Sequence, residues 1–130
     1  MLLDEKNIMP EKALTFYTSA QVEIAKKAEQ MLTADLKQHI PIRQIAGRFG
    51  VSETSLKNYF RGVYGKNISD YLRDLRMSTA EKLLTETMQS ISEIASGVGY
   101  TKQGKFAEVF RQRYHMNPLE YRRVKRMEKL

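Results

Sequence analysis

The sequence contains no cysteine and no tryptophan, and only three of its 130 residues are proline. Without cysteine the chain has neither disulfide bonds nor thiolate metal ligands. Its apolar runs are a few residues long, far below the ~18 that a transmembrane helix requires. The first residues include Asp4 and Glu5 and lack the basic-then-apolar order of a signal peptide. These absences exclude disulfide-stapled and membrane-spanning helical classes and make the cytoplasm the expected compartment.

Groups that would carry catalysis are also missing from the sequence. The two histidines, His39 and His115, are far apart, and neither belongs to a metal-binding spacing. There is no glycine-rich phosphate loop, and no serine lies in a pattern typical of a nucleophile. We therefore expect no enzyme, no bound metal and no cofactor.

Positive charge is what the sequence has in excess. Lys and Arg number 22 against 15 Asp and Glu, which gives a net charge of +7. Residues 1–40 carry five Lys and six acidic residues, so the whole excess lies in residues 41–130. A basic surface attracts polyanions through counterion release, whatever their sequence. Charge alone leaves nucleic acid, an acidic partner and simple solubility open.

The apolar residues recur at three- and four-residue spacings, and β-branched alternation is scarce, so the chain is predicted to be all-α. A first long helix is predicted from Ser19 to His39, and another from Ile68 to Glu86. At 1.5 Å per residue the second of these would be roughly 28 Å long. That length is close to the ~34 Å between successive major grooves on one face of B-DNA.

Two segments of the chain resemble each other. The segment IRQIAGRFGVS, which begins at Ile42, aligns with ISEIASGVGYT, which begins at Ile91, at an offset of 49. After one extra residue the offset becomes 50, and the match continues as far as Tyr71 and Tyr121. Nine matched positions with a single insertion exceed what chance supplies, so one element of the fold is predicted to occur twice.

Each copy has the residues of a helix-turn-helix. In the first copy, Pro41 is predicted at the first helical position, and Gly50 in the turn, where positive φ suits glycine. Ser52 is predicted to cap the second helix. In the second copy, Ser90 begins a capping box, and Thr101 is predicted to take the capping role of Ser52. A last helix is predicted to open at Asn117-Pro118.

Six motifs follow one another along the chain: I-x-x-I-A at 42–46, G-V-S-E-T-S-L at 50–56, Tyr64-Gly65, R-M-x-x-A-x-x-L-L at 76–84, I-x-x-I-A-x-x-V-G-Y at 91–100 and N-P-x-x-Y-R at 117–122. This ordered series resembles the DNA-binding domain of the AraC/XylS family of transcription regulators over about residues 20–125. Such a domain implies seven helices and, as a monomer, two recognition helices in adjacent major grooves of double-stranded DNA. Activation through RNA polymerase and, in many members, a separate N-terminal effector-sensing domain are also implied.

Four regions are predicted: an arm or linker (1–17), a first helix-turn-helix subdomain (18–66), a linker helix (67–87) and a second helix-turn-helix subdomain (88–130). Residues 1–17 match nothing else in the chain. This favours an effector-binding domain on a missing N-terminal part of a longer chain over a small stand-alone regulator. The expected location is the cytoplasm, in association with the nucleoid. The alternative function is a basic helical adaptor that binds protein or RNA and uses the repeated units as packing scaffolds.

Helical-wheel positions select the residues of the first copy that would face DNA. With Leu56 pointing inward, the wheel turns Thr54, Asn58 and Arg61 outward. The N-terminal turns of a recognition helix approach base edges, where Asn can pair with adenine and Lys can donate to guanine. The predicted base contacts are Thr54, Lys57 and Asn58, and the predicted phosphate contacts are Ser55 and Arg61.

The second copy offers a weaker set of candidate DNA contacts. Gly104 has no side chain for a base and costs the helix ~1 kcal/mol relative to alanine. Glu108 could accept from cytosine, but phosphates otherwise repel its carboxylate. The first copy is therefore expected to provide most of the sequence specificity, and the second mainly to anchor the domain on DNA. The predicted base contacts of the second copy are Gln103, Gly104, Ala107 and Glu108. Phosphate contacts are predicted for Lys102, Lys105 and Arg111 of this copy, with Arg113 as a further candidate, and for Lys66 at the end of the first subdomain.

Five tyrosines and two arginines are predicted to be structural. The tyrosines resemble a stacking set for single strands, but their repeat-matched placement favours packing between helices. Arg76 and Arg122 are predicted to form ion pairs or helix-end contacts. The tyrosines are Tyr64, Tyr71, Tyr100, Tyr114 and Tyr121.

Overall fold

The computed structural model describes residues 16–130, so residues 1–15 of the predicted arm lie outside the described residues. Seven helices lie within this part of the chain, which contains no strand, and the all-α prediction is confirmed. None of these helices is long and apolar enough to cross a membrane. The helices are α1 (Ser19–Thr33), α2 (Ile42–Arg48), α3 (Glu53–Tyr64), α4 (Ile68–Glu86), α5 (Ile91–Gly97), α6 (Gln103–Tyr114) and α7 (Pro118–Glu128).

The chain forms two compact units. The first unit contains, among the described residues, 16–35 and 39–72, which hold α1, α2, α3 and the first residues of α4. The second unit contains residues 36–38 and 73–130, which hold the rest of α4 together with α5, α6 and α7. Each unit therefore has one helix-turn-helix pair, either α2 with α3 or α5 with α6.

The two helix-turn-helix pairs have the same dimensions, which confirms the predicted duplication. The first helix of each pair has 7 residues and the second has 12. In the first turn the Val51 amide donates to the Ala46 carbonyl at 3.0 Å, and Gly50 has a φ of 67° as predicted. In the second turn the Tyr100 amide donates to the Ala95 carbonyl at 2.9 Å.

A cluster of three aromatic rings lies between α3 and α4 in the first unit. Phe60 and Tyr64 of α3 contact Tyr71 of α4, with ring centroids 5.2 and 5.1 Å from that of Tyr71. The hydroxyl of Tyr71 donates to the carboxylate of Glu29 in α1 at 2.7 Å. Burial, followed by the negative charges of Glu29 and Glu23, raises the pKa of Tyr64 to about 12. These contacts connect α1, α3 and the start of α4.

The second unit repeats this cluster with its own residues. Phe110 and Tyr114 of α6 contact Tyr121 of α7, with centroids 5.4 and 5.3 Å from that of Tyr121. The Tyr121 hydroxyl donates to the carboxylate of Glu81 in α4 at 2.6 Å. Burial and this hydrogen bond raise the pKa of Tyr121. The matched tyrosines are therefore packing residues, as predicted.

Two buried arginines donate to backbone carbonyls. Arg122 donates through Nε to the Leu84 carbonyl at 2.9 Å and through Nη2 to the Thr87 carbonyl at 3.4 Å. These bonds satisfy carbonyls at the C-terminal end of α4, so the predicted helix-end contact is confirmed. Arg76 instead donates through Nη2 to the carbonyl of Leu36, in the loop after α1, at 3.3 Å. Burial lowers the pKa of both guanidinium groups.

The predicted end of α1 was wrong. The helix ends at Thr33 rather than His39, and Ala34 is its C-cap. Leu36, an apolar residue within the predicted helix, belongs to the second unit, where its carbonyl accepts a hydrogen bond from Arg76. An apolar residue at helical spacing fits a helix face and an isolated packing contact equally well, so the periodicity extended the helix too far.

Three predicted N-caps are confirmed, because each side chain accepts a hydrogen bond from the amide three residues later at 2.9–3.0 Å. At Ser90 the capping box is complete, and its hydrogen bonds lower the pKa of Glu93. The caps are Ser52, Ser90 and Asn117.

Two other predictions about helix starts were wrong. Pro41 is the N-cap of α2 rather than its first residue, since its ψ of 136° is extended. A missing amide hydrogen is harmless at either position, so the sequence did not distinguish them. The N-cap of α6 is Lys102, without a side-chain hydrogen bond, rather than Thr101. The extra residue of the second copy lies before α6, and it moves Thr101 one position too far from the helix to cap it.

The C-caps of α3 and α6 differ in one respect. Gly65 and His115 both have left-handed backbones, with φ of 75° and 63°. Each amide donates to the carbonyl four residues earlier, that of Arg61 or Arg111, at 2.8 Å. The two units therefore use the same turn, but only the first has the residue that takes this conformation without steric cost.

We predict that His115→Gly raises the free energy of unfolding by about 0.5–1 kcal/mol, because it removes a side chain from a left-handed position. Gly65→His, the matched change in the first unit, should lower it by a similar amount. Urea denaturation with an unchanged m-value measures both effects. A loss of stability in His115→Gly would contradict the prediction.

Candidate nucleic-acid interface

The second helix of the first pair, α3, has a buried side and an exposed polar side. Leu56, Phe60 and Val63 pack inward and are at most 2% exposed. The polar residues that the helical wheel turned outward are all exposed. Among these are two cations and an amide that can donate to base edges or phosphates. The exposed residues are Thr54, Lys57, Asn58 and Arg61.

The two other predicted phosphate contacts near α3 lie at its ends. Ser55 is half-buried, and its hydroxyl accepts from the Ser52 hydroxyl at 3.0 Å, while its amide donates to Ser52 Oγ at 3.0 Å. Lys66 is exposed and follows the C-cap of α3. Ser55 is thus fixed in the first turn, where backbone amides and the positive end of the helix dipole favour an anion.

The matching helix of the second pair, α6, also has a buried and an exposed side. Phe106, Val109 and Phe110 pack inward. Open space surrounds Gly104, because a methyl group built there would meet no atom within 4 Å. Ala107 is half-buried. The remaining predicted DNA contacts of this unit are exposed: Gln103, Glu108, Lys102, Lys105 and Arg111.

Two cations of α6 have acidic neighbours. Lys105 Nζ lies 4.0 Å from Glu108 Oε2, and the two side chains are 61% and 51% exposed. Arg113 donates to Asp74 Oδ1 at 2.8 Å, so this candidate for phosphate contact is engaged within its own unit. Exposed pairs of this kind contribute little to stability, but they lower the positive charge that α6 offers to an anion.

Gly62, in the third turn of α3, has a contact that was not predicted from the sequence. The ring of Tyr17 lies against it and also contacts the ring of Tyr59, with centroids 5.7 Å apart and planes at 72°. The only signal for this contact was a glycine inside a helix whose second copy has Gln112 at the matched position.

Comparison with known proteins agrees with this architecture. Residues 45–124 match the family model described as a helix-turn-helix domain. The regulatory protein SoxS of Escherichia coli K12 is 34% identical over 101 residues, which cover 75% of this chain and 94% of SoxS. The C-terminal domain of AraT, a response regulator from Geobacillus stearothermophilus, superposes with a TM-score of 0.71 at 29% identity, over 78% of this chain and 84% of that domain.

The chain belongs to the AraC/XylS family. It is an AraC-type DNA-binding domain of a transcription regulator, which confirms the resemblance drawn from its motifs. The HTH-type transcriptional activator RhaR of Klebsiella pneumoniae is 33% identical over 95 residues, which cover 73% of this chain but 34% of RhaR. Which exposed residues of this AraC-type domain contact bases, and which contact phosphates, stays a prediction.

We predict that Glu108→Gln strengthens binding to random-sequence DNA at low salt by roughly twofold to fivefold. The substitution removes a carboxylate that phosphates repel and releases Lys105 from its pair. Fluorescence anisotropy with a labelled random duplex measures the change. Glu120→Gln, an equal change of charge at an exposed position of α7, is the control and should have a smaller effect. Equal gains in both variants would mean that only net charge matters.

Proposed function

We propose that this domain binds one asymmetric site on double-stranded DNA as a monomer, with α3 and α6 in adjacent major grooves. The observation that carries the proposal is the repeated helix-turn-helix pair, whose second helix has the same length and an exposed polar side in both units. The length of α4 supports it further. Its 19 residues measure about 28 Å, close to the ~34 Å of one duplex turn.

In this proposal α3 provides most of the sequence specificity. Thr54, Lys57 and Asn58 lie on its first two turns, which approach base edges in a major groove. Asn58 has the amide that pairs bidentately with adenine, and Lys57 can donate to guanine. Arg61, one turn further along, contacts phosphate. Ser55 and Lys66 add phosphate contacts at the two ends of the helix.

In the same proposal α6 mainly anchors the domain. Gly104 and Ala107 offer at most a van der Waals contact to a thymine methyl group, and Gln103 and Glu108 are the only polar side chains among the four predicted base contacts. The phosphate contacts are assigned to Lys102, Lys105 and Arg111, which are all exposed.

We further propose that the regulator activates transcription by contacting RNA polymerase. SoxS and RhaR support this role, the first by its description as a regulatory protein and the second as a transcriptional activator. The chain spans about a third of RhaR, which leaves room in that relative for another domain. An effector-binding domain N-terminal to the residues of this chain is proposed on that ground. Transcription in vitro, with and without the protein, tests activation. The promoter carries the DNA site that the protein selects from random duplexes.

Selection of binding sites from random duplexes tests the mode of DNA binding. The expected product is a nonpalindromic site of about 20 bp, bound by one protein molecule and protected from cleavage on one face of the duplex. A palindromic site bound by a dimer would contradict the proposed mode, and the absence of any enriched site would contradict specific binding.

We predict that Asn58→Ala weakens binding to the selected site by about tenfold to a hundredfold and relaxes the preference at one base pair. Arg61→Ala should weaken binding to all sequences alike. It should also lower the magnitude of the slope of the logarithm of the binding constant against the logarithm of the salt concentration by about one. Titrations at several salt concentrations, on the selected site and its single-base variants, separate these effects. Lys26→Ala, an exposed position of α1, is the control. Uniform weakening by Asn58→Ala would assign this residue to the backbone instead.

We predict that the half-site bound by α3 is the more discriminating one. Single-base substitutions there should cost about 1–3 kcal/mol each, whereas those in the half-site bound by α6 should cost less. A complete scan of the selected site by competition binding measures the two sets. The Asn58→Ala variant identifies which half-site α3 occupies, because its altered preference maps to one base pair. Larger costs in the other half-site would reverse the assignment.

A further inference from the structure

The ring of Tyr17 occupies the space beside Gly62 of α3. A methyl group built on Gly62 would overlap Tyr17 Cε2 and lie 3.0 Å from Cδ2 and Cζ of the same ring. The Tyr17 ring thus lies closer to the α3 backbone than a residue other than glycine at position 62 would allow. Tyr17 is half-buried, and its ring also meets Tyr59 edge-on at 5.7 Å. Gln21 Nε2 lies 3.4 Å from the Tyr59 hydroxyl, to which it donates.

Helix geometry does not explain why this position is glycine. Gly62 is not among the glycines with positive φ, and glycine inside a helix is unfavourable relative to alanine. The second unit has the exposed Gln112 at the matching position of α6, which has the same length as α3. The approach of the Tyr17 ring is therefore the feature that requires a residue without a side chain here.

The contact lies at the edge of α3, between its buried and its exposed side. Gly62 follows Asn58 by one turn, about 6 Å along the helix and ~40° around it. Buried Val63 packs with Val22 and Ala25 of α1, and the rings of Tyr17 and Tyr59 pack against this cluster from its edge. The Tyr17 ring therefore supports α3 beside Asn58 and Arg61, which are both exposed.

The position of the Tyr17 backbone is itself defined. Thr18 is the N-cap of α1, and its hydroxyl accepts from the Gln21 amide at 3.1 Å. The Gln21 side chain accepts a hydrogen bond from the Thr18 amide at 3.0 Å through Oε1 and donates one to the Tyr59 hydroxyl through Nε2. One capping box therefore fixes the residue after Tyr17 and also joins it to α3.

We propose that Tyr17 is a positioning residue for DNA binding, whose ring braces α3 through Gly62 and Tyr59 and so sets how Asn58 and Arg61 meet the DNA. The inference rests on the proposed function of α3 as the first recognition helix. It adds a residue outside the helix-turn-helix to the determinants of specificity.

Four variants test the brace. Tyr17→Ala removes the ring, Gly62→Ala expels it with a single methyl group, the double variant does both, and Tyr17→Phe keeps the ring without its hydroxyl. Because a flexible ring rather than backbone meets the new methyl group, Gly62→Ala should fold normally, and thermal unfolding checks this. Gly47→Ala is the matched control, since a methyl group on this helical glycine of the same unit meets no atom within 4 Å.

Binding to the selected site should weaken by roughly fivefold to tenfold in Tyr17→Ala and in Gly62→Ala, which corresponds to about 1–1.4 kcal/mol. The double variant should be no weaker than either single one, because both remove the same contact. Tyr17→Phe and Gly47→Ala should bind like the wild type. On DNA whose α3 half-site is scrambled, Tyr17→Ala and Gly62→Ala should weaken binding by a smaller factor, because only the sequence-independent phosphate contact of Arg61 is then affected. A merely structural role would weaken binding to both DNAs alike.

Three other results would also overturn the proposal. Wild-type affinity in both Tyr17→Ala and Gly62→Ala would show that the brace does not affect binding. Equal weakening by Tyr17→Phe and Tyr17→Ala, with a salt dependence lower by about one ion, would identify the hydroxyl as a direct phosphate contact instead. The absence of NMR cross-peaks between the Tyr17 ring and Gly62 in the DNA-free protein would refute the contact itself. That last measurement is independent of the proposed function, which fails separately if the wild type selects no site.

Discussion

The structure depends on one contact that occurs in both units. A tyrosine packs against two aromatic rings of the second helix of the pair and donates its hydroxyl to a glutamate on the helix that precedes the pair. The donor–acceptor distances are 2.7 Å for Tyr71 and Glu29, and 2.6 Å for Tyr121 and Glu81. This contact joins three helices at a single side chain. Because it holds the inner side of α3 or α6, the outer side stays available for a ligand.

The repetition of this contact explains why the two units can differ on their outer sides. Once Phe60 and Phe110 are fully buried by the same ring clusters, the exposed residues have no part in the core. The first unit then has polar and basic side chains where the second has Gly104, a half-buried alanine and a carboxylate paired with a lysine. This difference supports the proposal that α3 reads bases and that α6 mainly anchors the domain.

Much of the fold was predictable from the sequence because the signals are local. The capping residues Ser52, Ser90 and Asn117 act within three residues, and the apolar spacing of α3 and α6 defines their inner sides within a few turns. The internal alignment added long-range information, since matched positions such as Tyr71 and Tyr121 pack alike. The exposure of the predicted DNA contacts on α3 followed from the same periodicity.

The sequence by itself determined the helical class, the duplication and the family, all of which follow from residue type and spacing along the chain. Only the tertiary structure showed that α1 ends at Thr33 while Leu36 belongs to the second unit, and that the Tyr17 ring lies on Gly62. The reason is physical. Spacing along a chain records which side of a helix is apolar, whereas the partner of a side chain 45 residues away depends on how the helices pack in three dimensions.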